Sequence, residues 1–161
     1  MIAALFPWLI FSAVIGAGLN AGLFFIFSVC IMGALARLPA EQGIAAMQAI
    51  NVVILNPWFM LAFMGTAVLA LILVAGGFVY GGPARFYLIA GGLLFLGGVM
   101  LVTMIVNVPM NNALEALEPG SEEAARLWSS TTLVDWVRWN HVRTLSSIGA
   151  LGCFVMAFRA A

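Results

Sequence analysis

From Ile2 to Ala36 the chain carries no charged side chain, a stretch well beyond the about 20 apolar residues that cross a bilayer's hydrocarbon as helix. Composition leaves no soluble alternative. Of 161 residues 65% are hydrophobic and 7% charged, against about a quarter charged in an ordinary soluble domain. Six basic and six acidic side chains cannot wet a surface around so much Val, Leu, Ile, Phe and Ala. Lipid is therefore the expected solvent and the first partner, and the length suits one membrane domain of a few spans. The net charge is zero and every basic residue is an arginine, so no basic face exists and nucleic acid is excluded as a partner.

The first run lacks a basic n-region and outlasts the roughly 7–15 residue core of a signal peptide, so it reads as a retained helix. Cys30 and Cys153 form no CxxC and no disulfide framework; they read as small hydrophobes.

Four apolar runs are separated by stops, which predicts an all-α fold, a four-helix transmembrane bundle. Spans are expected at about 7–36, 57–80, 85–110 and 138–159, with short extramembrane helices at about 40–55 and 121–130 on one side. Pro7 and Trp8 mark the first entry and Pro39 its close. Asn56 reads as an N-cap with Pro57 at the first helical position. Gly81, Gly82 and Pro83 read as a tight turn, and Ser121 as the cap of a short surface helix. Between Arg143 and Arg159 lie 15 uncharged residues, about 22 Å of helix against about 30 Å of hydrocarbon. The fourth span must therefore recruit upstream residues, which draws Arg143 and Asn140 inside. An intramembrane arginine marks a functional site or a paired structural charge. Arg37, Arg126, Arg138 and Arg143 fall on one side against Arg85 and Arg159, which leans toward both termini outside the cytoplasm of a bacterial plasma membrane. Gly18 and Gly22 form a GxxxG, read first as close packing within the bundle and second as a homodimer face. Asn20, in mid-span, reads as an interhelical hydrogen bond.

Helix parity places the end of span one, the start of span two, the end of span three and the start of span four on the same side. Asn51, Asn56, Asn107, Asn111, Asn112, Asp135, Asn140, His141 and Arg143 all gather there. Asn107 and Asn111 share a helix face, continued inward by Met100 and Met104. Pro109 between them frees the carbonyl of Ile105, which calls for an Asn amide or a water. Trp136, Trp139, Asn140 and Arg143 fall within an arc of about 100°.

Two readings compete. In one, the tryptophans are an interfacial belt, Arg143 snorkels and the asparagines mend broken backbone; the protein is then non-catalytic and uses its polar end for a lipid-like ligand or a partner protein. In the other, Trp136, Trp139, Met104, Asn51 and Asn56 wall a pocket for an apolar aromatic molecule. There Arg143, Asn140, Asn107 and Asn111 stabilise an oxygen that becomes negative, and His141 is a proton carrier with Asp135 as alternative base. One His and two separated Cys supply no metal or iron–sulfur site, so neither metal nor cofactor is expected.

GLFFIFSVCIMGALARLP, AAMQAINVVILNPWFM with Gly65 and Thr66, NVPMN at Asn107 to Asn111, and WVRWNHVRT from Trp136 resemble the anthrone oxygenase family of small membrane proteins. The resemblance covers nearly the whole chain. It implies a four-helix membrane fold, oxidation of an anthrone to an anthraquinone by O2 without an evident metal or flavin, and a site at Asn107, Pro109, Asn111, Trp136, Trp139, Asn140 and Arg143. On that basis the leading expectation is a cofactor-free oxygenase for a flat phenolic, anthrone or quinone-like molecule.

Overall fold

The structure, a computed structural model, describes residues 2–80 and 82–160. It contains five helices and, among the described residues, no strand. Helix α1 covers residues 2–35, α2 Ala40–Val53, α3 Pro57–Tyr80, α4 Arg85–Glu115 and α5 Glu122–Ala160. All except α2 are long and apolar enough to cross a membrane, so the all-α, four-span bundle expected from the sequence is the architecture found.

The expected punctuation sets the ends. The side-chain oxygen of Asn56 accepts from the backbone N–H of Trp58 and Phe59, both at 3.1 Å, and Ser121 Oγ accepts from Ala124 N–H at 3.1 Å, so orphan donors at two helix starts are satisfied. Gly82 turns the chain at φ 75°, a region that favours glycine; Gly81 lies outside the described residues.

Each span packs on two neighbours: α1 on α3 and α5, and α4 on α3 and α5. Alanines at the seams, Ala13, Ala17, Ala70, Ala150 and Ala157, are wholly buried and let the backbones approach. Ile10, Leu73, Phe95 and Phe154 fill the centre. Trp8, Leu19, Trp58, Leu61, Phe86 and Leu145 point outward, as a lipid-facing surface requires. A second apolar cluster closes one end, where Ile44 and Met47 of α2 meet Met32, Leu114, Trp128 and Trp136. There Gln48 Nε2 donates to the carbonyls of Leu114 and Leu117 at 2.9 and 3.0 Å, so α2 is clamped across the bundle's end.

Three local expectations change. The surface helix expected at about 121–130 is not separate: α5 runs unbroken to Ala160 because residues Trp128–Trp136 continue as π-helix. That stretch holds no Gly or Pro to stop it, and Ser129 and Ser130 bond back to the carbonyl of Arg126. The third span, expected to close near residue 110, runs on past Pro109 to Glu115. The proline follows π-helical turns at Leu96–Leu101 and Thr103–Asn107 and stands at the start of the α-helical stretch Val108–Glu115, where the change of ladder absorbs a missing donor. Finally, a Cβ built on Gly22 would meet nothing within 4 Å, so the GxxxG is not a tight seam inside the bundle. The close approach on α1 is at Gly16, where a Cβ would collide with the Thr66 hydroxyl. Asn20, as expected, bonds across helices, its amide donating to the carbonyl of Ala62 at 3.1 Å.

Candidate functional site

The inner face of α5 carries polar residues at helical spacing: Trp136, Asn140, Arg143, Thr144 and Ser147 are all buried, Asn140 and Ser147 completely. Such a row in an apolar bundle needs internal partners. Asn140 Nδ2 donates to the carbonyl of Phe24 at 2.8 Å and to Ser28 Oγ at 2.7 Å, tying α5 to α1. Its Oδ1 accepts from an Arg143 terminal nitrogen at 2.6 Å. The other terminal nitrogen of Arg143 reaches Thr103 Oγ1 at 3.4 Å.

Arg143 is 6% exposed, and among the described residues neither ion pair involves it; both lie in the exposed or half-exposed pairs Glu122–Arg126 and Asp135–Arg138. Its guanidinium lies between two rings, 4.4 Å from the centroid of Phe24 and 5.1 Å from that of Trp136. Phe24 belongs to the central core and Trp136 to the end cluster, so the cation occupies the joint between them. Cation–π contacts and hydrogen bonds to neutral oxygens offset part of its desolvation. Its Nε has no partner.

A cavity of about 180 Å³ opens beside this guanidinium. All four spans and α2 contribute to its wall: Phe24 and Phe27 from α1, Asn51 from α2, Phe59 from α3, Thr103 and Asn111 from α4, and Trp136 and Arg143 from α5. The wall is apolar apart from a few fixed polar groups, the usual make-up of a small-molecule site. Trp136 Nε1 donates to Asn111 Oδ1 at 2.7 Å, and Asn107 Nδ2 donates weakly, at 3.4 Å, to the carbonyl of Trp136. That amide thus serves α5 and not the freed carbonyl of Ile105.

Of the residues singled out from the sequence, Arg143, Asn111, Asn112, Trp136 and Asn51 line the cavity; Asn140 and Asn107 support it from behind. The others lie elsewhere. Trp139 is 40% exposed at the rim of the buried arc and Met104 is 51% exposed on the outer face of α4. His141 is also exposed, and none of the three lines the cavity. Asn56 is engaged as the cap of α3. Asp135 pairs with Arg138 at 3.3 Å. Phe24, Ser28 and Thr103 are site residues that the sequence reading passes over. Thr103 carried a signal, four residues before Asn107 as Asn107 is before Asn111; Phe24 and Ser28 sit in a uniformly apolar run that gave none. Among the described residues, no group of three His, Cys, Asp or Glu is placed to hold a metal.

These elements define a class of four-span helical membrane protein with a buried cation beside an apolar cavity at one end. The family model for anthrone oxygenase matches residues 58–153, and the chain belongs to that family. The match takes in Asn107, Asn111, Trp136, Asn140 and Arg143 and leaves out α1 and α2. No curated protein and no solved structure matches the chain.

Proposed function

We propose that the protein is a membrane oxidoreductase in which a phenolic, anthrone-type or quinone-like molecule enters the cavity, loses a proton and reacts directly with O2. The observation that carries this reading is a buried guanidinium with no carboxylate partner among the described residues, on a side chain that lines an apolar cavity. A cation so placed favours the ionised form of a phenol or enol over the neutral one. Neither His141 nor Asp135 lines the cavity, so the proton passes to water at the mouth.

For an anthrone the balance is simple. The ring CH2 gives up one proton, and the resulting carbanion transfers electrons to O2 as a C–O bond forms. The carbon-bound peroxide is protonated; loss of the remaining C–H proton then breaks the O–O bond, leaving a carbonyl and hydroxide, which takes up a proton. One anthrone and one O2 yield one anthraquinone and one water. The chain's own residues bind and orient the ring between aromatic walls, hold the oxyanion at Arg143 and exclude bulk water from it. The test is O2 uptake by detergent-purified protein supplied with an anthrone. Uptake above the uncatalysed rate, one O2 per anthrone, and its loss in Arg143→Ala are expected; no uptake, or uptake unchanged in the variant, refutes the reading.

A further inference from the structure

Arg143 is held unequally on its two sides. One terminal nitrogen donates to Asn140 Oδ1 at 2.6 Å, whereas the other lies 3.4 Å from Thr103 Oγ1, so Asn140 sets the direction of the guanidinium. The Asn140 carboxamide is in turn set by α1. Its nitrogen gives one hydrogen to the carbonyl of Phe24 at 2.8 Å and the other to Ser28 Oγ at 2.7 Å, which uses both donors of the amide. A flipped amide would turn its oxygen to the Phe24 carbonyl and its nitrogen to the guanidinium, acceptor on acceptor and donor on donor. Helix α1 therefore decides which end of Asn140 meets Arg143.

Ser28 stands outside the cavity wall, half-buried in the π-helical stretch Phe27–Ile31 of α1. Its hydroxyl acts on the cation in two ways. It pins the amide from a second direction, so that Asn140 does not swing about its bond to the Phe24 carbonyl, and by accepting an amide N–H it polarises Asn140 and strengthens Oδ1 as an acceptor. A looser Asn140 lets the guanidinium wander between the rings of Phe24 and Trp136. Stabilisation of a negative oxygen at a fixed place falls with that wandering.

We propose that Ser28 is a positioning residue for the oxyanion site: acting through Asn140, it aims Arg143 at an ionised hydroxyl in the cavity without itself touching the ligand. This rests on the reading of the cavity as an aromatic-oxyanion site and adds the residue of α1 that tunes it.

The experiment reads the ionisation of a bound probe, not turnover. The full chain, purified in detergent, is loaded with 2-hydroxyanthraquinone, a tricyclic phenol that is already oxidised and changes colour on ionising, and the pKa of the bound probe is read by absorbance. A second probe, 9,10-anthraquinone, has no hydroxyl and reports binding to the apolar walls alone. The parent should lower the pKa of the hydroxyl probe below its value in protein-free detergent, and Arg143→Met should abolish that shift. Ser28→Ala should raise the bound pKa by about half a unit to one unit, the threefold to tenfold equivalent of one neutral hydrogen bond, and leave anthraquinone affinity unchanged. Ser28→Thr, which keeps the hydroxyl, should match the parent. Ser28→Val, close to threonine in size but without the hydroxyl, should match the alanine variant, and this pair decides the question where the alanine variant fails to fold. An unchanged bound pKa in the alanine and valine variants, an equal loss of affinity for both probes at unchanged pKa, or a valine variant equal to the threonine one overturns the proposal while leaving the oxyanion site intact. A parent that fails to bind the hydroxyl probe, leaves its pKa where it was, or keeps the shift in Arg143→Met overturns the underlying reading, and the role of Ser28 with it.

Discussion

Replacing Arg143 with methionine separates a structural arginine from a functional one. The side chain is 6% exposed, lacks a carboxylate, and is held by one short hydrogen bond at 2.6 Å, one long one at 3.4 Å and two ring faces at 4.4 and 5.1 Å. A short charge-assisted bond contributes about 1.5–3 kcal/mol, and each cation–π contact about 1–2 kcal/mol when desolvated. Against these stands a burial penalty of several kcal/mol for one ion. Methionine removes the penalty and fills much of the volume, but leaves Asn140 Oδ1 without a donor at a cost of about 1–3 kcal/mol. The terms offset, so thermal unfolding in detergent, followed by tryptophan fluorescence, should place Arg143→Met within about 2 kcal/mol of the parent. Affinity for a phenolate should fall by more than about 30-fold, the lower end of what removing a buried charge partner costs. Destabilisation above about 4 kcal/mol, the range for breaking a true buried ion pair, together with undiminished phenolate binding, would show that the cation holds the bundle together and serves no ligand.

Asn140→Asp supplies the missing counter-ion 2.6 Å from Arg143 but loses the donor to the Phe24 carbonyl; it should destabilise by about 1–3 kcal/mol in thermal unfolding while phenolate binding drops at least tenfold, as titration would show. Trp136→Phe removes the 2.7 Å bond to Asn111 and should cost about 1–2 kcal/mol in thermal unfolding. Gly16→Ala drives a methyl into the Thr66 hydroxyl and should destabilise by about 1–3 kcal/mol, whereas Gly22→Ala meets open space and should leave the unfolding midpoint unchanged. Trp139→Ala and His141→Ala, both outside the cavity wall, should leave O2 uptake within about twofold of the parent, inside the variation expected of substitutions that touch no reacting group.

The four spans were legible because a run such as Ile2 to Ala36 admits only one solvent, and the caps at Asn56 and Ser121 because their chemistry is local. Parity alone brought Asn51, Asn111, Asn140 and Arg143 to the same end, since it depends on counting crossings and not on fine geometry. What escaped the sequence was phase. π-Helical turns at residues 27–31, 96–101, 103–107 and 128–136 change the number of residues per turn at the very end where the site lies, so a wheel drawn at a fixed 3.6 residues misplaces neighbours such as Met104. Trp139 fails for another reason. It stands at the margin of the arc, on the flank away from Asn140, and is 40% exposed there. Phe24 and Ser28 were invisible because one buried aromatic in a span looks like any other until its partner is known.

Helix α5, at 39 residues, is about 58 Å long at 1.5 Å per residue, longer than the about 40–45 Å of a bilayer with its headgroups. Its outer end is locked: Trp128 lies against Gly43, where a Cβ would sit 3.1 Å from the indole. The position of Arg143 along the bundle is therefore fixed relative to the cap. A thick membrane would submerge the cavity edge at Leu55, and a thin one would lift it into the headgroups. Acyl-chain length thus sets how deep the cavity lies, and vesicles of graded thickness turn that depth into a measurable quantity.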